Sequence, residues 1–296
     1  MATFNIFYSI IGFILCSLAA IHAVLDGREH RIQRLLILLT SFLYAILLEY
    51  IGITGGNHYY AEDVVMILGI IPISIPLAWV GIIYSAMIIG ERLELSPWKR
   101  ILATTLIALS LDWGMDPIAV EIGLWTWVHE GGSYFGVPSF NFIGWFLIPI
   151  AYSIAYNLNW NTDKKRLEIL SIKEIDTHDT WSRKLYTIFL VLPIGIGLLM
   201  IFGLVTIIPI IYNLPLIIVI ILEILTVAGA IGIIVLKREI LKRSHLYDLI
   251  PPSILLFIAY SYILSGLFTV NLALVLLMFL TAIPLLLAFI FIVQKK

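Results

Sequence analysis

Residues 101–118 read ILATTLIALSLDWGMDPI, and how this stretch is read decides the fold. As a helix it is about 27 Å long at 1.5 Å per residue, close to the hydrocarbon thickness of a bilayer. Lys99 and Arg100 stand immediately before it. Its polar residues, Asp112 and Asp116 apart, are small hydroxyl side chains that can hydrogen-bond within a helix. The stretch reads as a membrane span that carries two carboxylates near one end.

Moving outward, similar apolar runs recur at 4–24, 35–51, 64–90, 139–158, 185–205, 214–236, 249–267 and 272–293. Whole-chain composition agrees: of 296 residues, 61% are hydrophobic and 12% charged, and mean hydropathy is +1.05. A soluble domain carries about 25% charged residues, so a water-soluble fold is excluded. The expected class is an all-α, polytopic integral membrane protein with about nine transmembrane helices. The long run 64–90 contains Pro72 and Pro76; a kink, or a first segment lying in the interface, is expected there. The opening residues MATFN lack a basic n-region, so the first run is read as a retained helix.

The cations sharpen this reading. All 18 Lys and Arg fall between the first and second runs, in every second loop after that, or at Lys295 and Lys296. By the positive-inside rule the N-terminus lies outside and the C-terminus in the cytoplasm. Net charge is -1, so no nucleic-acid partner is expected. Cys16 is the single cysteine, so no intrachain disulfide can form.

The carboxylates are distributed differently. Most accompany the cations, but Glu49, Glu62, Asp63, Asp112, Asp116, Glu121 and Glu130 gather at the opposite end, and Glu223 stands alone inside an apolar run. Residues 1–296 are read as one membrane domain. Within it, 1–158 is a motif-bearing catalytic half, 159–184 a charged cytoplasmic loop and 185–296 a set of apolar scaffold helices.

Three motifs lie at the carboxylate-rich end. Asp112 and Asp116 are spaced i, i+4, which places them on one helix face about 5–6 Å apart at Cβ. Like charges cannot both ionise cheaply at low dielectric, so a shared proton, and with it acid–base catalysis, is expected. Glu49 leads into Gly52-Ile53-Thr54-Gly55-Gly56-Asn57-His58-Tyr59-Tyr60, a glycine-rich turn carrying donors and flat rings. The segment from Gly123 to Pro138 holds Trp125, Trp127, His129 and Tyr134, with Asn141 and Trp145 following. It is too interrupted to span a bilayer and is expected to cover the outer mouth of a cavity. His58 and His129 match no metal-ligand spacing, and no metal is expected.

These motifs resemble the carotenoid biosynthesis family of carotenoid 1,2-hydratases and bisanhydrobacterioruberin hydratases. The resemblance rests on Trp125 and Trp127 followed by Tyr134-Phe135-Gly136-Val137-Pro138, Asn141-Phe142 and Gly144-Trp145-Phe146, together with Asp112 to Pro117, Glu49 to Gly55 and Pro76 to Trp79. It covers about residues 45–158 and departs from the family pattern at Gly56 to Tyr60. It implies hydration of a terminal carbon–carbon double bond of an acyclic carotenoid or other polyprenyl lipid, giving a tertiary alcohol without a cofactor. Asp112, Asp116 and Glu49 are then the catalytic candidates. Asn57, His58, Tyr59, Tyr60, Trp79, Trp125, Trp127, Tyr134, Asn141 and Trp145 are the substrate-binding candidates. The implied setting is the cell membrane, with the bilayer and neighbouring pathway enzymes as partners.

Two other classes share features with this chain. An intramembrane prenyltransferase also uses an Asp-x3-Asp motif, but its Mg2+-bridged diphosphate needs nearby cations, and the outer end of this chain has no Lys or Arg. A polyprenyl-lipid or small-molecule transporter would suit Glu223 and the proline-interrupted run, yet no inverted repeat is apparent.

Overall fold

The computed structural model describes residues 2–26, 28–63, 65–128, 134–169, 192, 194–198, 214–242 and 244–294. Its long helices are α1 (Ala2–Leu25), α2 (Arg28–Thr54), α3 (Ser74–Arg92), α4 (Pro97–Glu121), α5 (Ser139–Ile169), α6 (Leu216–Leu236) and α7 (Ile250–Phe268), followed by the shorter α8 (Leu272–Thr281) and α9 (Ile283–Val293). Among the described residues seven helices are long and apolar enough to cross a membrane, or eight spans if α8 and α9 count as one. The chain is thus an all-α, multi-pass membrane protein. Most of the expected span at 185–205 lies outside the described residues.

α3 and α4 form the centre of the bundle, and most of their side chains are buried. α1, α2 and α7 pack around α3, while α5, α6 and α8 pack around α4. The periphery is apolar too: Ile10 and Phe13 of α1 and Ile217 and Ile224 of α6 are exposed. In water such surfaces would be a liability; against lipid tails they are at equilibrium.

Two expected spans differ from the structure. Residues 65–73 do not begin a long kinked helix. Met66–Ile67 (β2) and Ile71–Pro72 (β3) form a tight hairpin, with Leu68 and Gly69 at positive φ. Pro72 therefore ends a strand, and Pro76 sits in the first turn of α3, where a missing N–H costs nothing. The run 272–293 is broken rather than continuous, with α8 and α9 bent by 45° around Ala282. Pro284 explains the break, because its ring prevents α8 from propagating.

The two ends of the bundle are fastened by different interactions. At the basic end the Arg34 guanidinium bridges Asp26 at 2.7 Å and Glu91 at 2.6 Å. Arg92 pairs with Asp248 there. At the opposite end His58–Tyr60 (β1) pairs antiparallel with Trp125–Trp127 (β4), with Tyr60 opposite Trp125 and His58 opposite Trp127. Hydrogen bonds from Ala61 N to Leu124 O and from Val128 N to Asn57 O extend this ladder.

Candidate functional site

Glu49 lies in the last turns of α2 and is 6% exposed. Three side chains donate to it: Tyr60 Oη at 2.6 Å, Trp79 Nε1 at 2.8 Å and His58 Nε2 at 3.2 Å. They come from two elements, β1 and α3. Gly52 lets His58 fold back this far, since a Cβ at position 52 would lie 2.9 Å from the His58 ring. The Trp79 indole is backed by Trp145 in a stack with 4.1 Å between ring centroids. His58 also packs its ring against Trp127 and Tyr60.

The second group is the carboxyl pair of α4. Asp112 is fully buried and Asp116 is 2% exposed. Asn141, at the start of α5, donates its amide to Asp116 Oδ2 at 2.5 Å and lies 3.4 Å from Asp112 Oδ2. Two buried carboxylates this close are tolerable only with a shared proton or a counter-charge, and a neutral amide is what caps them here. Asp112 Oδ1 is buried with no partner among the described residues, and so are His58 Nδ1 and Trp113 Nε1. Unsatisfied buried groups of this kind are where a water or a substrate group gains most by binding.

Tyr60 joins the two groups. Burial first, then the Glu49 carboxylate and its hydrogen bond, then Asp116, push the Tyr60 phenol well above its ordinary pKa. It therefore stays a neutral donor at any working pH. The i, i+4 aspartates, Glu49, His58, Tyr60, Trp79, Asn141 and Trp145 are thus brought to one region at the end of the bundle opposite the ion pairs. Trp125 and Trp127 border it from β4, through ring contacts to Tyr60 and His58. Tyr59 is not part of it: at 56% exposure it projects outward, as strand alternation between His58 and Tyr60 requires. Asn57 takes part through its backbone carbonyl, which accepts from Val128. His129 and Glu130 lie outside the described residues.

Tyr134 occupies a tight turn with Phe135 and Gly136 at positive φ. Its ring meets Trp113 and Phe142 edge-on. Its hydroxyl donates to Glu223 Oε2 at 2.9 Å, so the lone carboxylate of α6 bonds to this turn. Glu223→Ala should leave the buried Tyr134 hydroxyl without its acceptor and destabilise the protein by about 1–3 kcal/mol. Glu223→Gln, which keeps an acceptor, should recover most of that loss. Thermal unfolding in detergent reads both; equal midpoints for wild type and Glu223→Ala would dismiss the bond.

The partners of Asp63 are not legible in the sequence. Ser9 donates to it from α1 at 2.6 Å and Ser74 from α3 at 2.9 Å. Tyr8 likewise meets Ser265 of α7 at 2.8 Å and packs its ring on Tyr262. Nothing in the local sequence around these hydroxyls distinguishes them from ordinary apolar-helix residues.

A family model described as "Carotenoid biosynthesis protein" matches residues 4–221. Bisanhydrobacterioruberin hydratase of Haloarcula japonica is 29% identical over 154 residues, which is 49% of this chain and 51% of that protein. The match therefore spans about half the length of that relative. No solved structure matches the chain.

Proposed function

Because the chain belongs to the carotenoid biosynthesis protein family, we propose that it is a cofactor-independent hydro-lyase. In this reading it adds water across a terminal double bond of an acyclic carotenoid in the cell membrane. The observation that carries the reading is the buried Asp112–Asp116 pair capped by Asn141, set beside the hydrogen-bonded Glu49.

The reaction needs an acid, a surface that tolerates a cation, and a base. The proton held by the aspartate pair passes to the less substituted alkene carbon, leaving a tertiary cation. The π-faces of the aromatic walls, Trp79, Trp145 and Trp125 among them, stabilise that cation by about 0.5–2 kcal/mol each where water is excluded. A water adds to the cationic carbon and loses a proton to an ionised carboxylate, for which Glu49 is the candidate. Its three donors hold the carboxylate in a fixed orientation. The proton that water gives to Glu49 returns to the aspartate pair before the next turnover, so the net reaction consumes one water and no external acid. The site lies at the end without Lys or Arg, and the positive-inside rule supports reading that end as the outer one and the C-terminus as cytoplasmic.

Expression in a host that accumulates an acyclic carotenoid tests this directly. A product heavier by one water, or by two when both ends react, is the expected result. Unchanged carotenoids across several acyclic substrates would overturn the proposal.

A further inference from the structure

Tyr60 of the candidate site and its neighbour Met115 also face a cavity beside it. Met115 lies on α4 between the aspartates, and Tyr60 donates to Glu49. Both line a cavity of about 40 Å3 that is closed by Gly12 of α1, Ala78 of α3, and Ile258 and Tyr262 of α7. At roughly 10–15 Å3 for each water-sized sphere, about three such spheres fit, the bulk of a small branched hydrocarbon tip.

The lining is mainly apolar, and its polar groups are largely occupied elsewhere. Asp63 accepts from Ser9 and Ser74, and the Asn5 amide donates to the Glu62 carbonyl. The cavity lies along the seam between α1 and α7, which is joined by the Tyr8–Ser265 hydrogen bond and the Tyr8–Tyr262 ring contact. The outer faces of the same helices present Ile10, Phe13 and Phe257 as exposed apolar side chains. A chain dissolved in the bilayer therefore meets this seam from the lipid side.

We propose that this cavity receives the geminal methyl groups at the end of an acyclic polyprenoid, holding the adjoining double bond at the Tyr60 and Met115 wall beside the carboxylates, and that Ile258 and Tyr262 of α7 determine which end group fits. The proposal rests on the hydratase reading and deepens it. It also locates the selectivity: α7 begins at Ile250, beyond residue 221 where the family match ends. The carboxylates and Tyr60 come from the family-matched part of the chain, whereas the wall that measures the end group does not. Volume is a sensitive discriminator in such a pocket, since one methylene more or less changes selectivity by about tenfold or more.

The test uses the full chain in membranes, given two acyclic carotenoids together, one ending in a plain isopropylidene group and one in a bulkier branched terminus. Ile258→Ala should shift the ratio of hydrated products toward the bulkier substrate by about tenfold. That ratio is independent of how much folded protein each preparation holds. Ala78→Phe should fill the cavity and lower hydration of both substrates by about tenfold or more, with a matching loss of tryptophan quenching by bound carotenoid. A wild-type product ratio in Ile258→Ala, with wild-type quenching in Ala78→Phe, would overturn the cavity assignment. If the wild-type protein quenches without hydrating, and Ala78→Phe abolishes the quenching, the cavity assignment stands and the hydratase reading falls.

Discussion

Asp116→Asn should lower the rate of carotenoid hydration by about 10²–10⁴-fold, the usual contribution of a positioned acid or base. The chain should remain folded, because an Asn at 116 keeps the oxygen that accepts from the Asn141 amide. Removing ionisable character from a buried position also relieves a desolvation cost. Asp112→Asn should act similarly. If the pair holds one proton between them, as proposed, the double variant should fall little further than either single one, because such groups fail as a unit. Product formation in membranes, normalised to folded protein, is the measurement. Wild-type rates in both single variants would remove the aspartates from the mechanism.

Gly114→Val carries the largest expected structural effect. Gly114 lies between the two aspartates where α4 presses on α8. A Cβ there would stand 2.5 Å from Thr281 Oγ1, 2.7 Å from Met278 Sδ and 2.8 Å from the Met278 backbone Cα. A side chain could turn aside, but the backbone atom cannot move without shifting α8. Glycine inside an exposed helix costs about 1 kcal/mol relative to alanine, so Gly114→Ala would stabilise the protein if the space were open. The contact reverses that sign. Gly114→Val is expected to cost about 3 kcal/mol and to displace the carboxyl pair, abolishing hydration as well. Unfolding of the purified protein in detergent checks this, and Met278→Ala in the same chain should restore part of the loss. An unchanged unfolding midpoint in Gly114→Val would show that the helices do not approach this closely.

The parts of this fold that are legible in sequence are those governed by short-range regularities. Hydropathy alone located most of the spans, because a bilayer requires long unbroken apolar runs. The i, i+4 spacing placed Asp112 and Asp116 on one face. The hairpin at 66–72 and the break at Ala282 were hidden, since both are apolar and hydropathy does not distinguish a strand or a bend from a helix. The partners in the site were hidden for a different reason. Trp79 reaches Glu49 across 30 residues, Asn141 reaches Asp116 across 25, and Tyr134 reaches Glu223 across 89. No periodicity encodes such pairings; they follow from how α2 to α6 pack around one another. Tyr262 and Ile258 are further from legibility still, being ordinary side chains of an apolar helix until α7 is placed against α1.

The pairing of β1 with β4 has a consequence for how the protein moves. Two of the three groups that hold Glu49, His58 and Tyr60, ride on a strand whose backbone is laddered to Trp125–Trp127. The amides of this ladder should exchange with solvent deuterium as one cooperative block rather than singly. Any fluctuation wide enough to lift that block would strip the carboxylate of two donors in the same event. In the hydratase reading, a mouth opened in that way would leave the proposed base, Glu49, without two of its three donors.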